Sequence, residues 1–426
     1  MSDSNDNIFT QYMEKRNILI KNRNILQTSY IPGKLPHRKN EIDQIVEIIA
    51  PSLNKDLPSN ILIIGKTGTG KTAVMNYIGK QLKMADPDQK NCMFIYVNCE
   101  VVDTPYTILY NITNQVVSVD DPNQSESKKI PFTGWSLEKI FTELSKYIDE
   151  RNMVFIIVLD EIDRTFQRNG DDIFYYLTTI NEILEKSRVS IIGITNNARF
   201  TDELTTRVKS RLGEEKIIFP PYNASQLQDI LRDRAEEAFE NVNEVMDDDV
   251  IPYCAALSAQ DIGDARRALD LLRMSADIAE RNKDPRITVA HVRSAKNKLE
   301  FDAVAEIVKT LTTQSKLVLI SIVKLIEERK KENNNSPLTT GEVYTAYKFY
   351  SSAISTSTVS QRRVASLISE LDMLGIIHAR VKSFGKAGRT KEIELSTSRE
   401  IISLLSTDPI FIEIDHIKPS KQMTFD

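Results

Sequence analysis

"GKTGTGKT" occupies Gly65–Thr72 and directly follows the apolar run "NILII" at 60–64. A glycine followed after four residues by Gly-Lys-Thr is the spacing of a loop whose backbone N–H groups turn inward around phosphates. A helix beginning at the end of that loop adds its positive N-terminal end to the same site. Gly65, Lys66, Thr67, Gly68, Thr69, Gly70, Lys71, Thr72 and the following Ala73 are therefore the candidate nucleotide-binding residues. Lys71 is expected on the β/γ-phosphates and Thr72 on Mg²⁺. At average residue usage a chance match in a chain of this length arises about once in a hundred. The plain alternative is a structural glycine turn.

Outward from the loop, short apolar runs alternate with helical segments: "CMFIYVNC" (92–99), "MVFIIVLDEID" (153–163), "VSIIGITN" (189–196) and "EKIIFPPY" (215–222). That alternation predicts a parallel sheet with helices on both faces, an α/β fold. Before it, Ile42, Ile45, Val46 and Ile49 have helical spacing. The third run ends in Asp160-Glu161, at the sheet edge where ligands sit in such folds. Asp160 is expected to hold Mg²⁺ through water, and Glu161 to orient and deprotonate an attacking water, which marks ATP hydrolysis. The alternative for the two is a surface acid pair. Asn196 is a polar tip on the same edge. In "TRVKSRL", Arg207, Lys209 and Arg211 form either a solvated basic helix or the source of an arginine finger for a neighbouring subunit's γ-phosphate.

Past Pro220-Pro221 only helical patterns follow. Asn223 can cap the first, and Ala268, Leu271, Leu272 and Ser275 share a face of the second. After Thr310 come three helical segments and two extended ones around Gly385–Gly388. Val364, Leu367, Ile368, Leu371 and Leu374 make one stripe of the third helix, and the whole pattern is that of a winged helix, a DNA reader. The expected organisation is an arm at 1–30, an α/β nucleotide-binding domain at 31–222, a helical lid at 223–302, a winged helix at 303–400 and a tail at 401–426.

The chain has 426 residues, 41% hydrophobic and 27% charged, with a net charge of −5. It has the length of about three domains, and its net charge requires any nucleic-acid contact to come from local patches. No apolar stretch reaches the length of a membrane span, and "MSDSNDNIFTQYMEKRN" lacks the apolar region of a signal peptide. Cys92, Cys99 and Cys254 read as reduced, buried thiols of a cytoplasmic protein. The densest patch is "ARVKSFGKAGRTKEIEL" (379–395), with Arg380, Lys382, Lys386, Arg389 and Lys391. Alone such a hairpin is a solvated loop; behind three helices of winged-helix spacing it is a phosphate-contacting wing. Arg389 is the candidate for minor-groove insertion, and Gln361, Arg362 and Arg363 for the major groove.

"GKTGTGKT", "VLDEID", "ITNN", "RVKSRLG" and "GDARRALDLLR" stand in the order and spacing of AAA+ ATPases. Together with "LPHRKNEI" (35–42), "IPFTGWS" (130–136) and "GRTKEI" (388–393), they resemble the archaeal origin-recognition (Orc/Cdc-six type) replication initiators over about residues 30–400. The resemblance implies an AAA+ P-loop sheet with a helical lid and a C-terminal winged helix, ATP and ADP as ligands, and slow hydrolysis used as a switch. It implies double-stranded origin DNA, the replicative helicase and other initiator copies or paralogues as partners, and a nucleoid-associated location. Asn196 would be sensor 1 and Arg266 sensor 2, with Arg267 the adjacent alternative. Either Arg207 or Arg211 would be the finger. His37, Arg38 and Tyr222 would lie near adenine and ribose. Lys128, Lys129, Phe132 and Thr133 would make a second DNA contact. A winged-helix AAA+ or STAND-type ATPase regulating transcription is the competing reading; it would lack the "IPFTGWS" insertion.

Overall fold

In a computed structural model, the described residues are 19–102, 104–117, 134–332, 336–383 and 389–395, with 412 and 414. They form two compact units, divided at Arg293 and Ser294 inside the helix Val289–Thr310.

The first unit is built on five parallel strands, β1 (Ile61–Gly65), β2 (Cys92–Asn98), β3 (Val154–Asp160), β4 (Arg188–Thr195) and β5 (Glu215–Phe219), in the order β2-β3-β4-β1-β5. β3 is buried along its whole length, as expected for a continuous apolar strand covered on both faces. Its side chains alternate: Phe155, Ile157 and Leu159 join one core with Leu62, while Val154, Ile156 and Val158 join another with Ile61 and Ile63. Inserting β4 between β1 and β3 brings three strand ends together. The phosphate loop leaves β1, Asp160 ends β3, and Asn196 follows β4.

The helix Lys39–Ile49 buries Ile45 and Ile49, but Val46, a member of the predicted stripe, is exposed. The lid helices Ala224–Ala238, Val250–Asp261 and Ala265–Asn282 belong to the same unit. Asn223 and Gln226 form a reciprocal capping box at the lid entrance.

The described end of the arm is pinned to the lid. Leu19, Ile20, Ile25 and Leu26 are buried, and Ile20 bridges Phe239. Buried Glu280 accepts the Leu19 and Ile20 N–H groups at 2.9 and 3.0 Å and pairs with Arg23. Two apolar pairs outweigh the polar composition of the segment, because burial follows individual side chains rather than the average.

In the second unit, the helix Thr313–Lys331 buries every residue from 317 to 323, which makes it the central helix. The helices Thr340–Ala353 and Gln361–Met373 and the sheet β6 (Leu338–Thr339), β7 (Ile377–Ser383) and β8 (Arg389–Leu395), ordered β6-β8-β7, pack around it. This is the winged-helix arrangement. Leu374 departs from its predicted stripe: it caps the helix Gln361–Met373 and is exposed. Ile414 of the tail is buried in this core. No helix among the described residues is long and apolar enough to cross a membrane.

Candidate functional site

Gly68 and Gly70 take the left-handed conformation, φ 73° and 89°, which lets the loop curl into the helix Lys71–Ala85. Lys71 Nζ donates to the Gly65 and Lys66 carbonyls at 2.7 and 2.8 Å and to Asn196 Oδ1 at 2.8 Å. Burial pushes the Lys71 amine down to about 8; Asp160 opposes the fall and Arg266 adds to it.

Asp160 is buried at the end of β3, and its Oδ2 accepts Thr72 Oγ1 and the Tyr96 hydroxyl, both at 2.6 Å. Burial and Asp160 push the Tyr96 hydroxyl well up, so it remains a donor. A hydroxyl beside a buried carboxylate is a hard-oxygen set that suits Mg²⁺, with phosphates and waters completing the shell. Among the described residues no group of three or more His, Cys, Asp or Glu is placed to hold a metal by itself.

Glu161 sits at the N-cap of the helix Ile162–Asn169 with φ 58°, a conformation that is uncommon for a non-glycine residue. Its buried Oε2 has no hydrogen-bond partner; the Arg164 guanidinium is an ion-pair neighbour at 3.4 Å without bonding geometry. Burial raises its pKa, with Glu100 and Asp160 adding to the rise.

The lid closes on the loop. The Ala265 N–H donates to the Gly68 carbonyl at 3.2 Å, and Asp264 caps the helix Ala265–Asn282 by accepting from the Arg266 and Arg267 N–H groups at 2.7 and 3.4 Å. A cavity of about 710 Å³ is lined by Thr67, Gly68, Gly70, Lys71, Thr72 and Ala73 of the loop, Asp160, Glu161, Asn196, Tyr222 and Arg266. Arg267 pairs with Asp261 at 3.0 Å, which leaves Arg266 as the pocket-lining arginine of the two. Two helix N-termini thus converge on the site, and their partial positive charges favour an anion.

His37 and Arg38 do not line this cavity. His37 meets Asp229 at 2.9 Å, and Arg38 is buried behind the loop. The wall opposite the loop comes instead from 28–36 and the lid residues Arg234 and Glu237. Arg234 donates to the Ile25 and Tyr30 carbonyls at 3.2 and 3.1 Å and stacks on the Tyr30 ring. The sequence reading missed 28–34 of this wall because that stretch has no motif; Leu35 and Pro36 open "LPHRKNEI". It also missed Tyr96 and Asp163. Asp163 Oδ1 accepts Thr195 Oγ1 at 3.0 Å and the Asn196 N–H at 3.3 Å, which aims Asn196 at Lys71. The available signals were a hydroxyl near the end of β2 and a third acid one helical turn after Asp160.

Arg207 and Arg211 lie on the helix Thr206–Leu212, outside the cavity lining. Arg207 bonds the Tyr175 hydroxyl at 3.2 Å, and Arg211 pairs with Glu182 at 2.5 Å.

In the second unit Gln361, Arg362 and Arg363 open the helix Gln361–Met373 and are exposed; Arg363 pairs with Glu370 at 3.0 Å. Lys382 pairs with Glu392 at 2.5 Å, and Lys391 Nζ bonds Ser369. Ser383 pairs with Arg389 at the open end of the β7–β8 ladder. Lys128, Lys129, Phe132, Thr133 and Lys386, and the side chain of Arg389, lie outside the described residues.

Comparison with known proteins finds three family models in sequence order: an AAA domain at 55–201, the Cdc6 AAA+ ATPase-type lid domain at 228–297, and the CDC6 C-terminal winged helix domain at 306–403. The chain is 45% identical to ORC1-type DNA replication protein 1 of Methanosarcina mazei, over 98% of this chain and 96% of that protein. It is 45% identical to the ORC1-type DNA replication protein of Thermococcus onnurineus, over 92% of each. Among solved structures it is similar to the Aeropyrum pernix ORC1 protein in complex with DNA, with TM-score 0.75, 42% identity, and coverage of 93% of this chain and 99% of that one.

Proposed function

We propose, for a chain that belongs to the ORC1-type DNA replication proteins, that it is an ATP-regulated initiator which binds origin duplex DNA and supports loading of the replicative helicase. ATP is the nucleotide it hydrolyses, slowly, so that hydrolysis acts as a switch. The observation that carries the ATP-switch reading is the lid helix end resting on the phosphate loop, with Arg266 in one cavity with Lys71, Asp160, Glu161 and Asn196.

In this reading the loop N–H groups and Lys71 hold the β- and γ-phosphates. Thr72 and Asp160 would hold Mg²⁺, whose charge offsets that of the phosphates. Glu161 takes the proton of the attacking water, and Asn196 orients that water or the γ-phosphate. Arg266 reports the γ-phosphate to the lid. Arg207 or Arg211 serves a neighbouring copy, and the protein works in the cytoplasm on the nucleoid. The names of the relatives favour replication over transcriptional regulation.

Arg266→Ala is expected to weaken ATP binding about tenfold or more while ADP changes little, because only ATP carries the γ-phosphate; a charge-assisted hydrogen bond contributes roughly 1.5–3 kcal/mol. Titration with both nucleotides measures it, and an equal loss for the two would make Arg266 a structural lid residue.

DNA binding is supported by the winged helix and by the Aeropyrum pernix relative seen in complex with DNA. Arg389→Ala removes one cation at the wing, so affinity falls and the slope of log affinity against log salt shrinks by about one unit. The loss is expected to be larger on origin DNA than on random DNA if Arg389 enters a narrow minor groove. Titrations at several salt concentrations decide; unchanged affinity and slope on both DNAs would make the wing a solvated loop.

A further inference from the structure

Arg38 is 1% exposed, among the most completely buried large side chains of the protein. A buried guanidinium is costly unless its donors and charge are satisfied, and here they are. Nε donates to the Thr69 carbonyl at 2.9 Å, one terminal nitrogen to Glu41 at 2.9 Å, and the other to the Pro220 carbonyl at 2.6 Å. The guanidinium stacks 3.9 Å from the centre of the Tyr222 ring.

These partners belong to three separate stretches: the phosphate loop, the exit of β5, and the helix Lys39–Ile49 that Arg38 itself precedes. Tyr222 carries the link onward, since its N–H donates to the Gly263 carbonyl at 3.3 Å, immediately before the lid cap Asp264. A loop that aims its N–H groups inward at phosphate turns carbonyls outward, and a buried outward carbonyl needs a donor. At Thr69 that donor is Arg38.

We propose that Arg38 is a positioning residue for nucleotide binding, gripping the phosphate loop from behind at Thr69 and tying it to the Pro220–Tyr222 exit into the lid. The proposal rests on the nucleotide-binding reading above. It differs from an adenine or ribose contact because Arg38 acts through the loop, and the loop cradles the phosphates common to ATP and ADP. Loss of the grip therefore weakens both nucleotides by one factor, unlike Arg266→Ala, which changes their ratio.

The test is titration of the full chain with fluorescent ATP and ADP analogues, comparing wild type, Arg38→Met and Arg38→Lys, with thermal melting alongside. The expected result for Arg38→Met is at least tenfold weaker binding of both analogues with their ratio kept. Arg38→Lys, which retains a charged donor without the fork, recovers at least threefold of that loss. Folded Arg38→Met with both affinities within twofold of wild type overturns the proposal, even if it melts lower, because that is the behaviour of a purely structural residue. A loss confined to ATP overturns it too. If neither Arg38 variant folds, Glu41→Gln decides: about threefold weaker binding of both analogues supports the clamp, and unchanged binding overturns it. Wild type that binds neither analogue refutes the nucleotide-binding reading itself, and the clamp falls with it.

Discussion

Replacing Glu161 with Gln is expected to leave ATP binding in place and to lower turnover by about 10²–10⁴-fold, the usual worth of a positioned general base. The substitution keeps the shape of the side chain at the N-cap of the helix Ile162–Asn169. It removes the basic oxygen at a site where Oε2 has no hydrogen-bond partner and where Arg164 approaches only to 3.4 Å. A buried carboxylate oxygen without a donor is costly, and such a cost persists where function needs the lone pair accessible. Lys71, Thr72 and Arg266, the residues proposed to bind the nucleotide, are left in place by it. Phosphate release at saturating ATP, paired with a nucleotide titration, gives both halves of the expectation. Turnover within threefold of wild type would assign the base to another group.

Gly68→Ala is the second large effect, and it comes from the contact between lid and loop. A Cβ on Gly68 would stand 1.7 Å from Asp264 Oδ1. Asp264 cannot simply turn away, because its carboxylate caps the lid helix through the Arg266 and Arg267 N–H groups. The left-handed φ of 73° adds about 1 kcal/mol for any residue with a Cβ. The lid must therefore lift from the loop and carry Arg266 with it. Nucleotide affinity is expected to fall roughly 10²-fold, about 2.8 kcal/mol, with ATP losing more than ADP. Adding Asp264→Ala removes the obstructing carboxylate and should restore part of the affinity, at the cost of a helix cap worth about 1 kcal/mol. Gly68→Ala with affinity within twofold of wild type would mean that the lid contact does not support binding.

The elements with strong local determinants were legible in the chain. The unbroken apolar run "VFIIVLD", the glycine loop and the asparagine cap each arise from near neighbours, and the five strands form where the apolar runs lie. Val46 and Leu374 show the limit: both are apolar and near a helical stripe, and both are exposed, because a stripe does not say where a partner surface ends. The arm shows the converse, with four apolar residues of a polar segment buried against the lid.

From sequence alone followed the chemistry: a phosphate loop with its lysine and threonine, an acid pair at a strand end, a polar tip on the next strand, and a basic hairpin behind three helices. Motif residues carry such chemistry at fixed short spacings, so covalent sequence suffices to announce them. The tertiary structure alone decided which groups meet. It separated Arg266 from Arg267, set Arg38 on the Thr69 carbonyl outside the cavity lining, and brought in Tyr96, Asp163 and the wall at 28–36. Those assignments depend on strand order and on the packing of the lid, which join residues tens to hundreds of positions apart. No local pattern records the distance between Arg38 and Pro220, or between Gly68 and Asp264, because only the folded chain creates it.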